Sequence, residues 1–167
     1  MRFMKELPKH IRRDIYKDFL FKDFMYLFKS HFLRLVREDS NGRPERAFWG
    51  WEDNAFQQFM IKLLQSLEPR FYHKKQYIFD QGEEVNEQIY ITSGSYSIGF
   101  HLNNNSNQTY FHVKLKHKTI IGGYENLLGY ESEFYYKALN FTEGYGLRKC
   151  NLKPIMTKFP DISRQIS

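Results

Sequence analysis

The spacing of apolar positions changes along the chain, and each change marks a different kind of element. Phe19, Leu20, Phe24, Leu27, Phe28 and Phe32 recur at three- and four-residue intervals, the repeat of a helix that buries one face. Leu7-Pro8 opens this segment, with Pro8 tolerated in the first turn. The pattern predicts a helix continuing towards Val36, and its phenylalanine-rich stripe needs a packing partner. Between Arg37 and Trp51 no period survives. Asn41-Gly42-Arg43-Pro44 marks a loop or linker there, and Trp49 and Trp51 are expected to anchor it against a helix. A second helical stripe follows in Phe56, Phe59, Met60, Leu63, Leu64 and Leu67, with Asp53 or Asn54 as its cap and Pro69 at its end.

From Arg70 onward the pattern is that of short strands rich in Tyr, Phe and Ile, broken by Gly or Asn. They are predicted at 70–74, 76–80, 88–92, 95–101, 109–115, 119–122, 134–139 and 143–149. The run from His101 to Asn107 reads as a polar hairpin tip. Asn151 can cap a last helix, Leu152 to about Phe159, which Pro160 breaks or bends. Eight short strands framed by helices predict a mainly β fold: an eight-stranded antiparallel β-roll, or jelly roll, preceded by linker helices. The expected division is a helical linker arm and loop over 1–52 and a β-roll domain over 53–167.

Composition narrows the function. A chain of 167 residues supports a domain of ordinary size with a helical appendage, and needs no disulfide or structural metal to hold a core. The single cysteine, Cys150, has no internal partner, which suits a reducing compartment. No run approaches the roughly 18 apolar residues of a membrane-spanning helix, so the chain reads as soluble or as the soluble piece of something larger.

The net charge of +6 lies entirely in residues 1–37, which hold ten Lys and Arg against four Asp and Glu. Such an arm suits an acidic protein or an anionic membrane surface, or is simply a solvated helix face. Nucleic acid is not expected, because the arm's aromatics belong to its packing stripe rather than to a stacking surface. The six histidines form no metal pattern, His112 and His117 being the nearest approach to one. No nucleophile elbow, phosphate-binding loop or dinucleotide fingerprint is present, and Glu131 and Glu133 carry no mark of an acid/base pair. An enzyme is not expected.

The order of motifs resembles the cyclic-nucleotide-binding domain of ion channels and kinases. It comprises a leading helix, then Gln76-Tyr77-Ile78-Phe79-Asp80-Gln81-Gly82-Glu83, then Ile89-Tyr90-Ile91-Thr92-Ser93-Gly94, then Ile121-Gly122-Gly123-Tyr124-Glu125-Asn126-Leu127-Leu128, then a helix ending near Phe159-Pro160. The resemblance covers residues 53–167. Leu7-Pro8 with Ile11-Arg12 and Ile15 looks like the helical linker between a channel pore and this domain. Phe59-Met60, Leu64, Leu67-Glu68-Pro69-Arg70, Gly94-Ser95-Tyr96 and Ile98-Gly99 are similar to the voltage-gated potassium-channel families of ciliates.

The resemblance implies a roll that holds cyclic AMP or cyclic GMP. In that family, helix-terminal amides and one arginine hold the cyclic phosphate, and a glutamate binds the ribose hydroxyl. The corresponding residues here are Gly122, Gly123, Tyr124, Glu125, Asn126, Leu127, Glu133, Phe134 and Tyr135. With Leu127-Leu128 taken as the family's leucine pair, Tyr124 stands at the glutamate position. The arginine position falls on Glu133 or its neighbours Ser132 and Phe134, and no arginine lies between Arg70 and Arg148. An anion needs a fixed cation. Losing that pair and gaining a carboxylate weakens binding by on the order of a hundredfold or more.

The family's lid helix follows the Phe159-Pro160 region, and a chain ending at Ser167 is expected to lack most of it, by truncation or by loss. The expectation is a non-catalytic regulatory module of a voltage-gated cation channel of the potassium type, on the cytoplasmic side of a membrane, with a degenerate cyclic-nucleotide pocket and no cofactor. Its expected partners are the rest of a channel polypeptide or neighbouring subunits, through helices at 7–36. One alternative is a competent cyclic AMP or cyclic GMP sensor taking its cation from Lys137, Arg148 or a further tail. The other is a soluble assembly or scaffold subunit that kept only the fold.

Overall fold

The computed structural model describes residues 6–38, 44–48, 51, 53–101 and 113–166. These divide into two compact units, one built from 1–66 with 154–167 and the other from 67–153.

In the first unit the expected long helix is broken into pieces. Helix α1 (Lys9–Asp14) passes into a π-helical turn, Ile15–Leu20. The Phe21 N–H closes that turn by donating to the Tyr16 carbonyl at 3.0 Å. Helix α2 (Lys22–Leu27) and a 3₁₀ turn (Lys29–His31) follow, separated by the non-helical backbone of Phe21 and Phe28. The stripe collapses on itself: Tyr16, Phe24, Phe28 and Phe32 are buried, with the Phe24 ring 5.1 Å from Phe28 and 6.4 Å from Phe32.

The expected helix therefore stops short of Val36. Residues Leu33–Glu38 form strand β1 where the helix was expected to run on, antiparallel to β2 (Pro44–Phe48), which lies in the expected loop or linker. Leu33-Arg34-Leu35 alternates with period two, a strand signal that the overlapping phenylalanine period hid. The Asn41-Gly42-Arg43 turn and Trp49 lie outside the described residues. Trp51 is half-buried, its ring 6.0 Å from that of Phe56, so it does anchor on a helix.

That helix, α3 (Asn54–Gln65), begins at Asp53, whose carboxylate accepts from the N–H groups of Ala55 at 2.9 Å and Phe56 at 3.0 Å. These are two of the donors that a helix start leaves unpaired. Phe56, Phe59, Met60, Leu63 and Leu64 are buried along one face. Pro69 does not end the helix. It sits inside strand β3 (Leu67–Tyr72), which is an edge strand, where a missing N–H costs no ladder bond.

The second unit carries the expected eight antiparallel strands: β3, β4 (Tyr77–Phe79), β5 (Glu87–Ser93), β6 (Ser95–Gly99), β7 (Val113–Lys116), β8 (Thr119–Ile121), β9 (Tyr135–Ala138) and β10 (Thr142–Arg148). Helix α4 (Gly123–Leu128) lies between β8 and β9. The strands form two four-stranded sheets, ordered β3-β10-β5-β8 and β4-β9-β6-β7, a jelly roll that is not a closed barrel. Tyr72, Ile78, Phe79, Val85, Ile89, Ile91, Tyr96, Ile121 and Ala138 make its core, with Ile98, Leu115 and Tyr136 packed against them. The expected hairpin tip at His101–Asn107 lies outside the described residues beyond His101 itself.

The closing helix starts earlier than Asn151 suggested. Helix α5 runs Lys149–Lys158 with Pro154 inside it, and the Lys149 N–H donates to the Asn86 carbonyl at 2.8 Å. Pro160 does interrupt the helical run, and it also begins a new helix, α6 (Pro160–Ile166), at the position where a fixed φ and absent N–H cost least.

Candidate functional site

The candidate site is the β8–α4–β9 connection, and its geometry starts from Gly122. This residue caps α4 at φ +72. A Cβ there would meet Val85 Cγ1 at 2.8 Å, the Glu87 carbonyl oxygen at 3.0 Å and Phe79 Cε2 at 3.1 Å. Both the backbone sign and the space select glycine. Gly123 then opens the helix, the Asn126 N–H donates to the Gly122 carbonyl at 3.0 Å, and Gly129 ends it at φ +80. The Glu125 carbonyl accepts from the N–H groups of Gly129 and Tyr130, at 2.7 and 2.9 Å. Gly122-Gly123 is therefore a turn that the roll requires, whatever else it does.

The loop that follows is stitched to the β4–β5 turn. The Ser132 N–H donates to the Glu83 carbonyl and the Gly82 N–H to the Ser132 carbonyl, both at 2.8 Å, while the Ser132 hydroxyl donates to the Phe134 carbonyl at 2.6 Å. The sequence-named residues thus fall into two groups. Tyr124 and Leu127 are exposed, at 68% and 39%, beside exposed Leu128 and Tyr130. The rings of Tyr124 and Tyr130 lie 5.9 Å apart. Asn126 is fully buried, and its side-chain amide has no hydrogen-bond partner among the described protein groups, a costly state for a buried amide. Sequence reasoning named Asn126 for its place in the loop, without this property.

The charges converge on Tyr136. This half-buried residue packs on the core, and its hydroxyl is pushed up to about 12, first by burial and then by the charges of Glu125, Tyr96 and Glu133. Glu125 and Glu133 therefore act on one side chain from the two ends of the connection. Phe134 is half-buried and Glu133 exposed. Tyr135 is not part of this arrangement. It is buried between the rings of Tyr77, at 5.8 Å, and His101, at 4.8 Å.

Among the described residues, no ion pair joins a cation to Glu125 or Glu133. Arg70 donates to both oxygens of Glu87, at 3.0 and 2.6 Å, and to Glu68 at 3.0 Å, while Arg148 donates to Glu68 at 2.8 Å. Lys137 sits directly opposite Ser97 and Tyr77 in the ladder. It therefore lies on the sheet face opposite Tyr136 and Ala138, which pack with the core. The Lys149 amine packs against Gly129, at the carboxyl end of α4 rather than its amino end. Among the described residues, no group of three or more His, Cys, Asp and Glu is placed to hold a metal, and no helix is long and apolar enough to cross a membrane.

No protein-family model matches the chain, and no curated protein matches it by sequence. Many solved structures match its fold. A cyclic-nucleotide-binding domain from Methylobacillus flagellatus superposes with a TM-score of 0.67 at 12% identity, over 90% of this chain and 73% of that one. The catabolite activator protein of Thermus thermophilus gives 0.56 at 17% identity, over 70% and 53%. An acyltransferase from Mycobacterium smegmatis, described as cAMP-binding, gives 0.53 at 14% identity, over 66% and 33%. The chain thus spans between a third and three quarters of the length of these structures. It has the jelly-roll fold of cyclic-nucleotide-binding domains, and at these identities the likeness concerns the fold.

Proposed function

We propose that the chain is a non-catalytic regulatory module with a cyclic-nucleotide-binding fold whose anion site has been lost. The observation that carries this reading is electrostatic. The connection that would face a cyclic phosphate presents Glu125 and Glu133 to one tyrosine, while Arg70 and Arg148 are engaged with Glu68 and Glu87. An anion beside two carboxylates that no described cation pairs with is repelled rather than held. The matching structures supply the fold that motivates the reading, and two of them are described in terms of cyclic AMP or cyclic-nucleotide binding.

The finer reading places the module on the cytoplasmic side of a voltage-gated cation channel of the potassium type. It rests on the sequence resemblance, and on a basic segment that exposes Phe19 and Tyr26 at 78% and 76%, aromatic surface suited to a protein partner. Regulation then needs a ligand or partner that prefers one of two states of the module. A transcript joining this sequence to membrane-spanning segments supports this placement, and one ending in a stop codon on both sides contradicts it.

The test of the lost anion site is restoration. Calorimetry with cyclic AMP on Glu133→Arg, alone and with Tyr124→Glu, should show binding at least tenfold tighter than the unaltered chain, since a charge-assisted bond is worth about 1.5–3 kcal/mol. Tight binding by the unaltered chain, left unimproved by Glu133→Arg, contradicts the proposal.

A further inference from the structure

Four lysines surround an open cavity of about 530 Å³ on the second unit, lined by Lys74, Lys75, Lys114 and Lys137 with Ser97 and Leu139. Strand pairing explains how they meet. Ser97 stands opposite Lys114 on one side and Lys137 on the other, and Lys137 stands opposite Tyr77. Residues directly opposite one another share a face. Tyr96, Ile98, Leu115 and Tyr136 take the core face of the same sheet, so the lysine row belongs to the outer face and is separate from the α4 connection.

The turn that brings Lys74 and Lys75 is fastened to β9. The Lys75 N–H donates to the Ala138 carbonyl at 2.8 Å, the Ala138 N–H donates to the Gln76 carbonyl at 2.9 Å, and Lys75 is held at φ +74. That backbone region disfavours a side chain such as lysine. The Lys137 amine lies 4.5 Å from the centre of the Tyr77 ring and 3.3 Å from its hydroxyl. Among the described residues no carboxylate lines the cavity and no ion pair involves these four lysines, and residues 102–112 contain no Asp or Glu. Lysines that line one cavity with no ion-pair partner among the described residues repel one another, and an anion relieves that repulsion.

We infer that this cavity binds a compact ligand bearing two or more phosphate groups. Its volume falls within the roughly 300–1,000 Å³ of small-molecule sites, and lysine recognises phosphate as a point charge. The Ser97 hydroxyl, almost wholly buried, makes a long 3.4 Å bond to the Lys137 carbonyl and supplies a polar floor. The shared chemistry fits a soluble polyphosphate and a phosphorylated lipid headgroup alike.

The test is calorimetric titration of the full 167-residue chain with inorganic tripolyphosphate at low and physiological salt. The expected result is saturable one-to-one binding that weakens about tenfold or more in Lys114→Gln and again in Lys137→Gln. Lys158→Gln, which removes equal charge from an exposed position elsewhere, should change it little. Circular dichroism of each variant establishes that the fold is kept. Failure to saturate, or equal weakening by Lys158→Gln, overturns the site in favour of diffuse charge. Competition by phosphatidylcholine vesicles carrying phosphatidylinositol bisphosphate, absent with phosphatidylserine vesicles, identifies a headgroup. Retained tripolyphosphate binding without vesicle competition identifies a soluble ligand, and both support the site.

Discussion

Arg148 and Glu68 are joined at 2.8 Å, and the carboxylate oxygen that accepts from Arg148 also accepts from Arg70 at 3.0 Å. The two arginines that bound the arginine-free stretch of the roll are thereby committed to one ionic network. Gly146 makes the network possible, because a Cβ there would meet Arg70 Nε at 2.9 Å and would crowd Glu87 Oε2.

The Arg70–Glu87 pair is the more sheltered part of this network, with side-chain exposures of 22% and 21%. Glu87→Gln should lower unfolding free energy by about 1–3 kcal/mol, because a partly buried guanidinium loses its charged partner. Urea denaturation with an unchanged slope measures this; no shift in midpoint would show that solvent already screens the pair.

Glu68 supplies an acid-side prediction. Hydrogen bonding to Arg70, and then the charges of Arg148 and Arg70, hold its carboxyl below the ordinary 4.5. A depressed carboxyl contributes stability above its unfolded value, and this contribution is lost as pH falls through the folded one. Glu68→Gln should therefore flatten the stability profile below about pH 4.5. An unchanged acid limb would contradict the assignment.

His31 titrates in the same sense at milder pH. Burial lowers its imidazole from 6.5, so the folded chain binds its proton less readily than the unfolded chain. Stability associated with His31 is complete above 6.5 and falls as pH drops below it. Melting temperature measured across this range should decline less in His31→Gln than in the parent chain.

Tyr136 reports the charge of the candidate site. Its folded value of about 12 lies above the ordinary 10.0, so its contribution is intact below 10.0 and lost as pH rises through about 12. Ultraviolet titration should show one late-ionising tyrosine fewer in Tyr136→Phe. Glu125→Gln and Glu133→Gln should each bring that ionisation to lower pH, whereas an unmoved titration would place the carboxylates too far away to matter.

At Gly122 the cost is steric. Gly122→Ala places a Cβ 2.8 Å from Val85 Cγ1 at φ +72, which should destabilise the roll by about 1–3 kcal/mol. A smaller loss by chemical denaturation would mean that the turn can relax.

The eight strands were legible because Tyr, Phe and Ile are frequent in short segments and several of the breaks contain Gly or Asn, and all eight appear within a few residues of their expected limits. The first unit was read less well. Its phenylalanines recur at helical spacing, yet Phe24, Phe28 and Phe32 pack together across breaks in the helix, and local period carries no information about such collapse. Pro69 looked like a helix terminator because sequence does not say which strand will be an edge.

The candidate connection was located by the resemblance of Ile121-Gly122-Gly123-Tyr124-Glu125-Asn126-Leu127-Leu128 to the family's loop. The burial of Asn126 was not, since a polar residue in a helical turn gives no sign of being enclosed. The lysine cavity has no local sequence signal for a related reason. Lys74, Lys114 and Lys137 are far apart in the chain; the register of β7, β6 and β9 brings Lys114 and Lys137 to one face, and the turn fastened to β9 adds Lys74.

The most direct measurement is calorimetric titration of the unaltered chain with cyclic AMP and cyclic GMP up to millimolar concentration. A lost anion site predicts no saturable heat and no thermal stabilisation from either nucleotide. Saturable micromolar binding, accompanied by a rise in melting temperature, would contradict it and would make the β8–α4–β9 connection a working nucleotide site.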